Sequence, residues 1–508
     1  MKIRPTEPLV THDEEIQQKA YSLKQKIGLF AGPLFFLTVL CLPSVEGLSI
    51  PAQRVGAIAL WMAIWWLTEA LSLYATALLP LMLFPVLGVA EPKQVAAPYA
   101  EPTIFLFMGG FFLAAAMQRW HLHKRIALLI LKLLGSSPRR LLFGFMLATG
   151  IISMWVSNTA TTMMLLPIGL ALIARLEGQK TQSGFGAALM LGIAYAASIG
   201  GVGTLIGTAP NAIFIGQAKQ LFPNLAQIDF LQWMFIGVPY VLLFLPLAWL
   251  YLAFGVLRHT KISSNTSLDL NQEFLQLGPL SRGEWSVLAV FILTVLGWVF
   301  RSNLQIGAFT LPGWSNFLGI HKWVDDSTVA MVAALLLFVI PVNLKQGTFL
   351  LNWEWAKNIP WGILVLFGGG FALADNFQKT GLAAWIGGSL HGLAGMPLFV
   401  LILFICLAVT FMSEISSNIA LAAMMMPILG ATATVLGVHP YLLMLPATMA
   451  ASSGFMLPVA TPPNAIVFSS GYITQSQMAR AGFVLDLLGA VLTTLIVYFL
   501  AVPLLGLK

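Results

Sequence analysis

Charge is scarce in this chain. Of 508 residues, 26 are Lys or Arg and 19 are Asp or Glu, so only 9% are charged, against roughly a quarter in an ordinary soluble domain. Hydrophobic residues make up 58%, and the mean hydropathy is +0.87. That balance excludes a cytosolic globular protein and a disordered chain. Cysteine is scarcer still. Cys41 and Cys406 both lie in apolar runs, so neither a disulfide framework nor a thiolate metal site follows. No Walker A, HExxH or well-placed GxGxxG pattern is present, which argues against ATP-driven work by this chain. The first 25 residues are polar and of mixed sign. They contain no apolar region with a cleavage site, so no signal peptide is expected and the first span inserts directly. What is present is an all-α polytopic membrane protein, long enough for about ten to twelve spans. The net charge of +7 sits in short loops between apolar runs, which points to anchoring at a cytoplasmic membrane surface and not to nucleic acid.

Apolar runs predict about 11 transmembrane helices, near 27–43, 55–73, 74–90, 103–118, 185–216, 229–256, 285–300, 328–343, 361–378, 441–470 and 481–506. Two more stretches, 141–174 and 398–432, are long enough to enter and return. Each carries a polar triplet in its middle: Ser157-Asn158-Thr159 and Ser416-Ser417-Asn418. Polar groups at membrane depth are tolerated where they are buried in protein or line a wet cavity. Both stretches are therefore expected to be re-entrant helical hairpins with the triplet at the tip. The segment 120–134 mixes His, Lys and Arg with Ile and Leu, the pattern of an amphipathic helix along the cytoplasmic interface.

The chain repeats itself. Residues 107–118 match 367–378 at seven of twelve positions, including Gly109 and Gly110 against Gly369 and Gly370. Ser157-Asn158 recurs as Ser417-Asn418 and Pro167 as Pro427 at the same spacing, and Thr208-Ala-Pro210-Asn211 recurs as Thr461-Pro-Pro463-Asn464 after a small slip in the loop 175–184. Four landmarks in one order mark a duplicated unit. Its copies differ in flanking charge. Residues 119–140 hold six basic residues and no acid, whereas 379–400 hold only Lys379. The positive-inside rule puts the first on the cytoplasmic side and the second outside, so the repeat has inverted topology. The expected units are a cytoplasmic N-terminal segment 1–26, a first span and loop 27–54, repeat 1 over 55–256 (hairpin 141–174, broken helix 185–216), a cytoplasmic linker 257–284, and repeat 2 over 285–508 (hairpin 398–432, broken helix 441–470). Inverted repeats with broken helices are the architecture of secondary transporters, with the site near the midplane.

Each copy supplies two helix breaks, the hairpin tip and a Gly/Pro interruption. Helix N-termini present N–H groups and positive partial charge, which suit an anion. Unwound carbonyls and Ser/Asn oxygens suit a small hard cation. The hydroxyls of Ser157, Thr159, Thr208, Ser417 and Thr461 can donate to carboxylate or sulfate oxygens. Residues 141–174 contain no charged side chain, and 398–479 contain no Lys or Arg and one acid, Glu414. A dianion desolvated there is far from compensated by helix ends of about half a charge each. Co-bound cations supply the remainder. Ser153 lies four residues before Ser157 and Ser413 four before Ser417, which stacks oxygens on one helical face in both copies. Bonding of each Ser to its own helix carbonyl is the plainer alternative for either copy taken singly.

These motifs, taken with the inverted repeat, resemble the divalent anion–sodium symporter (DASS) family across nearly the whole chain. The resemblance implies a homodimer, elevator-type alternating access, and uptake of dicarboxylate, citrate or sulfate with co-transported Na+. It further implies that Ser153, Ser157, Asn158 and Gly207 hold one Na+, and that Ser413, Ser416, Asn418 and Ala460 hold another, partly through backbone carbonyls. Ser157, Asn158, Thr159, Thr208, Ser417, Asn418, Thr461 and Pro462 would line the substrate. One position departs from the family: the second triplet is followed by Ile419 where many members have Thr.

The expectation is a multi-pass plasma-membrane transporter and not an enzyme, with its N-terminus in the cytoplasm, carrying a small divalent anion with Na+. C4-dicarboxylate comes first. Sulfate, citrate or another oxyanion, and Na+-independent exchange, are the alternatives within the class. An anion channel is an alternative outside it. An intramembrane hydrolase built on Ser453 would need a His base, and the nearest, His439, falls at the end of a span. Glu69 and Asp375 are expected near water, Glu414 paired within its own hairpin, and His121, His123, His259, His321 and His439 solvated in loops.

Overall fold

The computed structural model describes residues 21–43, 46–134, 137–177, 184–257, 277–306, 309–388 and 395–507. Parts of the expected N-terminal segment, of the loop 175–184 and of the linker 257–284, with His259, lie outside them. The only strands among the described residues form two short antiparallel pairs, Leu304–Ile306 with Phe309–Leu311 and Pro341–Asn343 with Thr348–Phe349. The rest is helix and connection. Nine helical stretches among the described residues are long and apolar enough to cross a membrane.

The chain opens with α1 (Leu23–Cys41) and α2 (Ile50–Thr68), packed side by side. The apolar run expected as one span at 74–90 is two short helices, Leu73–Thr76 and Leu79–Val86. Then follow α3 (Pro102–Arg119), α4 (Leu122–Leu134), α5 (Pro138–Ser153), α6 (Asn158–Glu177), α7 (Gly184–Gly201), α8 (Ala209–Leu221) and α9 (Phe230–Tyr251). The second half runs through α10 (Arg282–Val299), α11 (Asp326–Val339), α12 (Trp361–Thr380), α13 (Leu382–Gly388), α14 (Leu398–Ile415), α15 (Asn418–Leu436), α16 (Tyr441–Ala451), α17 (Pro462–Phe468) and α18 (Gln475–Ile496). Elements α3–α8 thus recur in order as α12–α17. Pro167 and Pro427 sit inside the matching helices α6 and α15.

Local chemistry fixes where these helices begin. Ser22, Asp229, Ser281, Asp325 and Thr474 close capping boxes with residues three positions on, which satisfies orphan amides at the helix start. At the far end of α10, Arg301 bonds Asp326 at 2.6 Å, and Asp326 also accepts from the Phe230 amide. One carboxylate therefore ties α9, α10 and α11 together.

The amphipathic helix expected over 120–134 is α4, and it docks on α10. The Arg125 Nε lies 2.6 Å from Glu284 Oε1, with both side chains buried. The guanidinium also donates to the carbonyls of Leu277 and Gly278. Gly283 gives way to Trp120, since a Cβ there would sit 2.0 Å from the indole. His123 is not solvated as expected: it is buried with Nδ1 2.8 Å from the Met117 carbonyl, and burial pushes its pKa down to about 4, so the ring stays neutral at physiological pH. Arg125→Ala strands a buried carboxylate, which costs about 3–5 kcal/mol. The expected result is a thermal transition in detergent lowered by several degrees, and Glu284→Gln in the same background should recover part of it.

Candidate functional site

The first half builds its site from a turn and an unwound stretch. Helix α5 ends at Ser153, four residues turn the chain, and α6 starts at Asn158. Beside it, α7 stops at Gly201 and α8 begins at Ala209, leaving 202–208 without regular helix. Ser153 Oγ lies 2.7 Å from Asn158 Oδ1 and 2.8 Å from the carbonyl oxygen of Ala197. A hydroxyl has one proton and can serve one of these acceptors. Three oxygens therefore converge on one proton, a donor set that a small cation fits. Gly201 is required here, because a Cβ would fall 2.4 Å from Asn158 Oδ1. Gly207 closes on the same spot, since its Cβ would fall 2.4 Å from the Gly201 carbonyl oxygen. Asn211 braces the unwound stretch by donating from Nδ2 to the carbonyls of Gly201 and Thr204.

The second half repeats this bond for bond. Ser413 Oγ lies 2.7 Å from Asn418 Oδ1 and 2.8 Å from the Ala451 carbonyl oxygen. Asn464 Nδ2 donates to the carbonyls of Gly454 and Leu457. A Cβ on Gly454 would sit 3.2 Å from Ala460 Cβ and 3.3 Å from Ser413 Oγ, so Ala460 holds the place that Gly207 holds in the first half. The oxygens Asn211 Oδ1 and Asn464 Oδ1 are both buried and without a partner.

The halves interlock. Helix α8 of the first packs on α15 of the second, and α17 of the second packs on α6 of the first. The second arm of each hairpin thereby packs on the helix that follows the other half's break. Burial sorts the residues expected from sequence. Ser153, Gly207, Ser413, Ser416 and Ala460, assigned to cations, are buried, whereas Ser157, Thr159, Thr208 and Ser417, assigned to the anion alone or in part, are half-buried. Asn158 and Asn418, which serve both sets, are half-buried too. Thr461 is buried and Pro462 exposed. Ser416 donates its hydroxyl proton to the Met412 carbonyl, which leaves its oxygen lone pairs for a cation.

The family described as the sodium:sulfate symporter transmembrane region matches residues 23–507. The chain belongs to this family. It is 44% identical over 513 residues to the sodium-dependent dicarboxylate transporter SdcS of Staphylococcus saprophyticus, covering 99% of this chain and 96% of that protein. It is 43% identical over 499 residues to SdcS of Staphylococcus aureus strain RF122, covering 96% and 94%. Among solved structures, the YdaH transporter of Alcanivorax borkumensis superposes with a TM-score of 0.58 at 15% identity, covering 89% of this chain and 99% of that one. MtrF of Neisseria gonorrhoeae gives 0.54 at 15%, covering 92% and 99%. Those two likenesses concern the fold.

Other residues of this symporter-family chain fall where their surroundings put them. Asp375 pairs with Lys379 at the accessible end of α12, and Glu69 is an exposed left-handed cap of α2, both near water as expected. Glu414 does not pair within its own hairpin. Its two oxygens accept from the amides of Met456 and Leu457, at 2.8 and 2.9 Å, in the second unwound stretch. Asp486, which the sequence reading missed, accepts from the neighbouring Phe455 amide. An acid inside the last apolar run was the available signal. Lys24 reaches the second tip from α1, donating to the Ile415 carbonyl at 3.4 Å. Ser453 bonds the Met449 carbonyl and meets the Tyr240 hydroxyl, while His439 lies at the opposite end of α16, so the two do not form a nucleophile–base pair.

Proposed function

We propose that this protein is a sodium-coupled symporter of a small dicarboxylate, with a C4 acid such as succinate or malate as the first choice. The observation that carries the reading is the duplicated cluster of Ser hydroxyl, Asn oxygen and main-chain carbonyl converging on one proton. It suits two monovalent cations bound beside an anion held by helix N-termini and hydroxyls. The naming of the two staphylococcal relatives as sodium-dependent dicarboxylate transporters supports both the ion and the solute. Na+ here is cargo. Ser153, Ser157, Asn158 and Gly207 are the proposed ligands of one ion, and Ser413, Ser416, Asn418 and Ala460 of the other. Ser157, Asn158, Thr159, Thr208, Ser417, Asn418, Thr461 and Pro462 form the proposed anion lining.

The proposed cycle is an elevator stroke of hairpins and broken helices against the remaining spans, in a homodimer embedded in the plasma membrane. Charge asymmetry around the repeats supports a cytoplasmic N-terminus, repeats over 55–256 and 285–508 of opposite orientation, and re-entrant hairpins entering from opposite sides. On that topology Lys24 stands at the cytoplasmic end of α1, and its contact with Ile415 brings the tip of the outside hairpin down to cytoplasmic level. Val459 and Pro462 beside that tip are exposed. This is the inward-facing end of the stroke.

Uptake of labelled succinate into proteoliposomes, with and without an inward Na+ gradient, tests the reading. Accumulation above the equilibrium level only with the gradient is expected, and citrate and sulfate as competitors rank the anions. Equilibration without accumulation would indicate a channel, and accumulation without Na+ would indicate exchange. Ile419 is half-buried at the second tip and withdraws a hydroxyl from the lining. Ile419→Thr is expected to change the inhibition order among succinate, citrate and sulfate, and an unaltered order would remove Ile419 from the selectivity account.

A further inference from the structure

The two clusters match in their Ser, Asn and main-chain hydrogen bonds, but the loops behind them do not. In the first half, the stretch from Val202 to Thr204 is held by neutral groups. Trp233 Nε1 donates to the Val202 carbonyl, and the Thr204 hydroxyl donates to the Met154 carbonyl. In the second half the counterpart residues are Phe455 to Leu457, at the spacing that relates Asn211 to Asn464. The residue in the place of Met154 is Glu414, and Asp486 stands on α18 where α9 carries Val241, as Gly482 and Gly237 pack on matching points of the two stretches.

Both carboxyls are buried, with Glu414 4% and Asp486 0% exposed. Both Glu414 oxygens accept main-chain amides, which is the bonding of a carboxylate. Asp486 lies within hydrogen-bonding reach of it. Glu414 is the immediate neighbour of Ser413, and the loop it grips joins Gly454, whose Cβ would touch Ser413 Oγ, to Ala460. A buried negative charge at this position attracts a nearby cation with little screening. The single basic contact described at this tip, Lys24, is made from the exposed side, where water weakens it. The first site has no carboxyl in the matching places.

We propose that Glu414 makes the second sodium site the tighter of the two, so that it fills first. The proposal rests on the reading of the two clusters as sodium sites. Asp486 and the three loop amides act as positioning groups that hold the charge behind the cluster. Coulomb attraction over this kind of separation, at the effective dielectric of a partly buried site, amounts to roughly tenfold or more in affinity.

Full-length protein in detergent is titrated with NaCl against choline chloride at constant ionic strength, without succinate, and the Na+-dependent rise of the thermal transition is followed. Asn158→Ala leaves the second site and Asn418→Ala leaves the first. Half-saturation is expected about tenfold lower in the Asn158→Ala protein. Adding Glu414→Gln to Asn158→Ala should raise half-saturation about tenfold, and adding it to Asn418→Ala should change it by about twofold or less. Glu414→Asp keeps the charge while loosening the grip on the amides. It should stay within about threefold of Glu, and equality with Gln would assign the effect to scaffolding and overturn the proposal. Equal half-saturation in the two single-Asn variants would overturn it as well. Wild-type protein that shows no Na+ response would instead remove the sodium-site reading beneath it, which the succinate uptake assay judges separately.

Discussion

Asn158→Ala and Asn418→Ala are each expected to abolish sodium-driven succinate uptake while the protein still purifies as a folded species. Each Asn opens a helix after a tight turn, and each places Oδ1 2.7 Å from a buried Ser hydroxyl. Alanine is a good helix former, so the arms α6 and α15 persist. What is lost is one neutral oxygen of the proposed cation shell. An interaction of that kind with a charged group is worth about 1.5–3 kcal/mol, or roughly ten- to hundredfold in cation affinity. The same side chain is half-buried and belongs to the proposed anion lining, so the solute would lose a partner as well. Uptake in proteoliposomes at saturating Na+ measures the joint effect. Thermal unfolding in detergent reports whether the fold survives. Uptake at the wild-type rate by either variant would remove that tip from the site.

The second large effect concerns two glycines that look equivalent in sequence and are not equivalent in space. Gly201→Ala is expected to reduce uptake about a hundredfold, and Gly454→Ala by about threefold or less. The Cβ added at Gly201 would meet Asn158 Oδ1 at 2.4 Å and Nδ2 at 3.0 Å. Asn158 cannot retreat without leaving Ser153, so its oxygen is pushed out of the cluster. The Cβ added at Gly454 would meet Ala460 Cβ at 3.2 Å and Ser413 Oγ at 3.3 Å, contacts that a few tenths of an ångström relieve. Gly207→Ala falls with the severe case, because its new atom would press on the Gly201 carbonyl oxygen at 2.4 Å, and backbone does not yield as a side chain does. Uptake measured across a range of Na+ concentrations separates the variants. Equal losses in Gly201→Ala and Gly454→Ala would contradict the packing described for the first break.

Much of the site was legible before any coordinates. Ser153, Asn158, Ser413 and Asn418 stand at helical spacing around polar triplets in otherwise uncharged stretches, and an uncharged, apolar surrounding makes every polar residue conspicuous. Repetition supplied the second signal, because a spacing that holds for Gly110, Ser157 and Pro167 together has a structural cause. Legibility failed where the sequence offers only a residue type. Glu414 looked like a hairpin residue with a partner nearby, yet its partners are amides more than forty residues on. His123 looked solvated, yet α4 folds back and buries it.

The sequence by itself determined that this chain is helical, membrane-spanning and duplicated, and where the helices of the two repeated polar clusters break, because those properties follow from hydropathy, from proline and glycine, and from local spacing. It could not decide which loop each broken end would face, since no local pattern encodes contacts between residues far apart in the chain. Only the packing of α8 on α15 and of α17 on α6 brought the halves together and set carboxyls behind one cluster and a methionine and an indole behind the other. That difference in buried charge arises from the tertiary arrangement, because an acid acts on a cation through distance and screening, and the fold sets both.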